Sequence, residues 1–148
     1  MLCLALTMLA RPAPVTAALG GNETSVQSDR AQMRAALLRM TRAERYTVHE
    51  MRAPSGTVVR EYVSTTGAVF AVAWSGPWQP DLRQVLGTYF EQYVQAAHAV
   101  RARRAGHGPL LVQEPGLVVQ LSGHPRAFAG RAYVPVLVPQ GLGLDIIR

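Results

Sequence analysis

The sequence predicts an α+β domain in which an antiparallel sheet of about six strands packs on one long helix, with a second, shorter helix nearby. Three features carry that expectation. Residues 81–104 place Leu82, Val85, Leu86, Tyr89, Phe90, Tyr93, Val94, Ala97 and Val100 at three- and four-residue steps, the period of a helix with one apolar face. Short valine-rich segments flank that stretch, each bounded by a cluster of Gly, Pro or Ser. These segments follow one another through short turns, which favours antiparallel pairing over a βαβ arrangement.

The chain has 148 residues, 49% hydrophobic and 16% charged, the composition of one folded domain and not of a disordered tail. Its net charge of +6 is carried by arginine, because the sequence contains no lysine. Together with the abundance of alanine this reads as codon bias in a GC-rich genome, so the charge says little about partners. Residues 1–17 read as a signal peptide. The apolar run 2–10 is too short to span a bilayer, and Arg11-Pro12-Ala13-Pro14 leads to a small-residue cleavage site ending at Ala17. No basic residue precedes Arg11, so either the true translation start is expected upstream, the favoured reading, or the run is an ordinary buried segment. Cleavage there removes Cys3, the only cysteine, and leaves a periplasmic or secreted protein without thiol or disulfide chemistry. No later run is long and apolar enough to cross a membrane as a helix.

In order along the chain, residues 18–28 read as an extended leader and 29–148 as the single domain. Ser28 or Asp29 caps a helix running to about Thr41, with Met33, Ala36, Leu37 and Met40 on one side and Arg30, Arg34, Arg39 and Arg42 on a solvated face. Strands are expected at 46–51, 57–63 and 68–74. In the third, Phe70, Val72 and Trp74 share the face that should receive the long helix, and Val69, Ala71 and Ala73 share the other. Residues 76–80 form a rigid loop. Asp81 can cap the long helix with Gln84 reaching back to it, Arg101, Arg103 and Arg104 suit the negative end of its dipole, and Gly106 stops it. The pattern then restarts with strands at 110–113, 117–121 and 127–134 and an irregular strap from 135 to 148. Helix and three strands, twice, is open to reading as an αβββ duplication. Val48-His49-Glu50 echoes Val112-Gln113-Glu114, and Gly56-Thr57-Val58-Val59 echoes Gly116-Leu117-Val118-Val119.

Several of these runs carry a resemblance. They are Ala18-Leu19-Gly20-Gly21, Tyr46-Thr47-Val48-His49-Glu50, the stretch from Ser55-Gly56 through Arg60-Glu61-Tyr62-Val63, and Val69-Phe70-Ala71-Val72-Ala73-Trp74 with Gly76-Pro77. Pro80-Asp81-Leu82-Arg83-Gln84 and Gly87-Thr88-Tyr89-Phe90 belong with them, as do Gly123-His124, Gly130-Arg131-Ala132-Tyr133 and the Asp145-Ile146-Ile147-Arg148 ending. Together they resemble an uncharacterised family of exported proteobacterial proteins, catalogued as domain of unknown function 2844. The resemblance implies an envelope or secreted location and brings no activity, cofactor or catalytic residue.

Motifs for chemistry are thin. His49-Glu50 begins like a zinc-protease helix, yet no histidine follows at the required spacing, and His98, His107 and His124 are scattered. No serine occupies a G-x-S-x-G elbow and no glycine-rich loop has the strand–helix context that cradles phosphate. The sequence therefore offers no catalytic residue, no metal ligands and no cofactor. Export also removes most access to nucleic acid. The candidate binding residues are Trp78, held between Pro77 and Pro80 as an interface anchor, and the basic patch Arg101, Arg103 and Arg104. The leading expectation is a non-catalytic envelope module that binds another envelope protein. One alternative is a small hydrolase of envelope polymers using Glu50, Glu61 or His124. The other is a binder of an anionic envelope component, such as lipopolysaccharide or a phospholipid headgroup, through the arginine patch.

Overall fold

The computed structural model describes residues 19–104, 106 and 108–148; the expected signal peptide, Cys3 and His107 lie outside the described residues. The elements are α1 (Glu23–Gln32), β1 (Ala36–Arg42), β2 (Tyr46–Arg52), β3 (Val58–Ser64), β4 (Val69–Gly76), α2 (Leu82–Leu86), α3 (Phe90–Ala102), β5 (Leu110–Glu114), β6 (Leu117–His124) and β7 (Ala127–Tyr133). One antiparallel sheet of seven strands, in the order β1-β2-β3-β4-β7-β6-β5, replaces the expected six or so. The α+β class stands.

The added strand comes from the stretch expected to be helical. The first helix lies earlier, over part of the expected extended leader, because Asn22 caps it by accepting from the Ser25 amide at 3.0 Å. It ends when Arg34 turns into the left-handed region at φ 50°. The amides of Arg34 and Ala35 then bond back to the carbonyls of Ala31 and Arg30, a Schellman ending with arginine in glycine's usual place. Residues 36–42 pair with β2 instead. A bulge between Leu37 and Arg39 lets Leu37 oppose Met51 and Met40 oppose His49, so two side chains three apart share one strand face. That spacing imitates a helix.

A second bulge corrects the reading of β4. Tyr62 opposes Ala71 but Val63 opposes Val69, leaving Phe70 as the extra residue. Val72 and Trp74 face the helices as expected, while Phe70 turns to the other side to pack with Tyr46 and Tyr62. The expected single rod over 81–104 is also broken. Asp81 caps α2 through the Arg83 amide at 2.9 Å, but Gly87 at φ 52° ends it, and a 3₁₀ turn over Gly87–Tyr89 redirects the chain into α3. Leu82, Val85, Leu86, Tyr93 and Ala97 are nevertheless buried on one sheet face, so the amphipathic reading holds across the break.

The opposite face is covered by the strap. Ile147 is fully buried against Tyr62, Phe70, Ala71 and Ala73. The Arg131 guanidinium donates to the carbonyls of Leu144 and Ile147, each at 3.2 Å, and the Tyr62 hydroxyl to that of Ile146 at 3.0 Å. The helix-side core holds Met51, Val59, Val72, Trp74, Val112, Val119 and Ala132 among others. None of the described helices is long and apolar enough to cross a membrane.

The two meanders β2-β3-β4 and β5-β6-β7 run outward from a central β4–β7 pair and share a register. The row Met51–Val59–Trp74 in the first corresponds to Val112–Val119–Ala132 in the second. The echo of residues 56–59 in 116–119 falls on this register. That of 48–50 in 112–114 does not, because Val112 corresponds to Met51.

Candidate functional site

Trp78 is presented by a loop with little freedom to move. The chain passes so close to β3 that a Cβ on Gly76 would lie 2.5 Å from the Thr57 Cα, so only glycine fits. Thr57, fully buried, donates its hydroxyl to the Trp78 carbonyl at 2.6 Å, and Pro77 and Pro80 restrict the backbone on either side. The indole is left 63% exposed. Beside it lies a crevice of about 200 Å³ walled by Met33, Ala53, Val59 and Pro80. Met33 closes α1 and Pro80 opens α2, so the crevice is set by how those two helices sit on the sheet.

The arginine patch is split. Arg101, Arg103 and Arg104 are all exposed at the end of α3. Arg101 and Arg104 line a hollow of about 440 Å³ with Gly106, Gly108 and Leu110; Arg103 is not among its described lining. The Arg104 guanidinium donates to the Pro109 carbonyl, which fixes the chain leaving the helix. Burial raises the pKa of the Tyr93 hydroxyl, only partly offset by the nearby Arg101 cation.

The three residues named for hydrolysis do not converge. Adjacent residues on β3 alternate faces, so Arg60 lies on the strap side, where its Nε donates to Glu50 Oε2 at 2.6 Å, and Glu61 points to the helices, 2% exposed. His124 is exposed at the end of β6, three strands from β3, which is at least about 14 Å at ~4.8 Å per step. Among the described residues no group of three or more His, Cys, Asp or Glu is placed to hold a metal ion.

Sequence reasoning missed a buried polar cluster on the helix side. Asp29, expected as a cap, sits inside α1 and is 1% exposed, with its carboxyl beside that of the equally buried Glu61. The Gln84 amide, expected to reach back to Asp81, instead donates to the Asp29 carbonyl at 3.4 Å and approaches Oδ1 at 3.5 Å. His49 opposes Glu61 on β2, with Glu23 Oε1 3.9 Å from its Nε2. Asp29 Oδ2, Glu61 Oε2 and His49 Nε2 are buried without a protein partner. Burial is the main cause of every shift. It raises Asp29 to about 7 against the hydrogen bonds from Glu61 and Gln84, and raises Glu61 well above the carboxylate range with the Asp29 charge adding to it. It lowers His49, partly offset by Glu23. One signal was legible: in the row Val59, Glu61, Val63 a carboxylate takes a core position of a period-two pattern.

The molecule is thus a helix-backed antiparallel sheet with an exposed tryptophan on a fastened loop and a buried acidic pair beneath its first helix. The chain belongs to the family described as "Protein of unknown function (DUF2844)", whose family model matches residues 15–147. No curated protein and no solved structure matches it.

Proposed function

We propose that the protein is a non-catalytic, exported envelope protein, a binding or assembly module that docks a partner protein through Trp78. The observation that carries this reading is an indole 63% exposed on a fastened loop beside an apolar crevice, since preorganised aromatic anchors next to pockets concentrate binding energy. Residues 1–17, read as a signal peptide, give its periplasmic or secreted location. The two meanders are read as a duplicated αβββ unit with β1 added to the first. Cross-linking in the native host should recover one specific protein, and Trp78→Ala should weaken its capture by about 30-fold, the equivalent of ~2 kcal/mol at a hot spot. Recovery that is undiminished in Trp78→Ala refutes the anchor. Mass spectrometry of the exported protein should find Ala18 at its N-terminus.

A second reading rests on the hollow that Arg101 and Arg104 share, which suits an anionic envelope component such as a phosphorylated lipid headgroup. It predicts binding to anionic vesicles that falls steeply with salt; binding unchanged at 1 M salt disposes of it. The hydrolase reading has no comparable support, with Glu50 ion-paired on one face and Glu61 buried on the other.

A further inference from the structure

The buried acidic cluster occupies a place that the other half of the same sheet fills with hydrocarbon. With Met51–Val59 matched to Val112–Val119, the cross-strand pair His49–Glu61 corresponds to Leu110–Leu121. Leu110 is buried and Leu121 half-buried in the helix-side core. The sheet therefore needs no ionisable group at that row, and two leucines would bury apolar area without leaving oxygen or nitrogen atoms unpaired. The first half instead holds three ionisable side chains there, each less than a tenth exposed: His49, Glu61 and, from α1 above them, Asp29.

Two neighbouring carboxyls, 1% and 2% exposed and each with an unpartnered buried oxygen, hold a proton, because two adjacent buried carboxylates repel and neither can donate. Nothing on the neighbouring elements replaces that proton. From β2 the facing group is His49, with Glu23 of α1 beyond it; α2 contributes the uncharged amide of Gln84. Among the described residues no guanidinium lies within 4 Å of either carboxyl. The pair also has mechanical reach. Asp29 seats α1 over Glu61 of β3 and meets α2 through Gln84, and the crevice beside Trp78 is walled by Met33 at the end of α1 and Pro80 just before the Asp81 cap of α2.

We propose that the shared proton of Asp29 and Glu61 is a latch that seats α1 on the sheet and shapes the crevice beside Trp78, and that loss of the proton lifts α1 and removes the crevice's Met33 wall. The latch depends on the docking reading of Trp78 for its consequence alone; its opening is measurable without a partner. The sign follows from the direction of the shifts. Both carboxyls bind their proton more tightly when folded, so the stabilisation is complete below the ordinary carboxylate pKa of 3.8 and is lost as pH rises through about 7. His49, shifted down, acts in the opposite sense and only as pH falls below its ordinary range.

The test is amide hydrogen exchange of the full chain, corrected for the intrinsic chemical rate, at pH 6 and pH 8. Protection of α1 should fall about tenfold over that interval, the loss expected for one proton released through a pKa near 7, while α3 amides that exchange by local opening stay constant. Asp29→Asn with Glu61→Gln, a neutral hydrogen-bonded pair, should abolish the fall. Equal α1 protection at both pH values, or a fall that persists in the double variant, overturns the latch. So does a gain in α1 protection on adding zinc or magnesium at pH 8, which would make the cluster a metal site. Carbon-13 NMR of the wild-type carboxyls keeps the question open to refutation should the double variant not fold, since both titrating below pH 5 overturns the proposal. Trp78→Ala should retain the pH response, so the docking reading can fail while the latch stands.

Discussion

A methyl group added at Gly130 should cost the protein much of its stability, and a smaller side chain at Trp74 should return part of it. Gly130 opposes Trp74 where β7 meets β4 at the centre of the sheet. A Cβ there would lie 2.3 Å from Trp74 Cζ2, 2.5 Å from Cε2 and 3.0 Å from the Gln120 carbonyl oxygen, against an optimum near 3.5–4.0 Å for carbon pairs. The indole is buried among helix-side residues, and β7 is held by ladders on both edges. Overpacking of this kind costs about 1–3 kcal/mol, against a gain of up to about 1 kcal/mol from stiffening the unfolded chain. The net expectation for Gly130→Ala is a loss of about 1–2 kcal/mol, which moves a urea midpoint by about 0.5–1 M at a slope of ~2 kcal/mol/M. Trp74→Phe alone should also destabilise by leaving a void, but in the Gly130→Ala background the void accepts the methyl, so the two changes should couple by about 1 kcal/mol or more. Far-UV circular dichroism suits the assay, because Trp74→Phe alters the fluorescence. Gly130→Ala at wild-type stability, or single effects that add to within ~0.5 kcal/mol, would refute the packing argument.

Three further outcomes follow. The urea midpoint should be higher at pH 5 than at pH 8, since Asp29 and Glu61 lose their stabilising proton as pH rises through about 7; a midpoint that climbs over this range contradicts the raised carboxyls. Ile147→Ala should remove about 2–4 kcal/mol of burial from the strap-side core, and because Ile147 is the strap's one fully buried residue on that side, among half-buried Leu137, Val138, Leu142 and Ile146, chymotrypsin should cut within residues 134–148 at least tenfold faster. An unchanged cleavage rate would mean that the remaining apolar contacts and hydrogen bonds suffice. Trp78→Ala should leave the urea midpoint within the equivalent of about 0.5 kcal/mol, because the ring is mostly exposed; a larger loss would make Trp78 a structural residue and undercut its use as an anchor.

Local chemistry made much of this fold readable: short apolar runs for six of the strands, Gly and Pro clusters for their turns, Asp81 for a helix cap, and a tail broken by Pro135 and Pro139 for the strap. What escaped has a shared cause. A β-bulge puts two side chains that are three residues apart on the same strand face, and three residues is also a helical step. At Leu37 and Met40 this made an edge strand read as a helix, and at Phe70 it sent one aromatic side chain to the opposite core. Pairing with β2 decides the first case, and no window of sequence confined to residues 33–42 contains that partner. The acidic pair escaped for the complementary reason, since Asp29 and Glu61 belong to elements that meet only in the folded chain. Yet half of it was visible. A glutamate in the core-facing row of Val59 and Val63 cannot be sheltered by its own strand, so some other element must supply either a cation or a proton. With no guanidinium brought within reach, the proton is what the fold retains, and that makes α1 the one helix whose seating depends on pH.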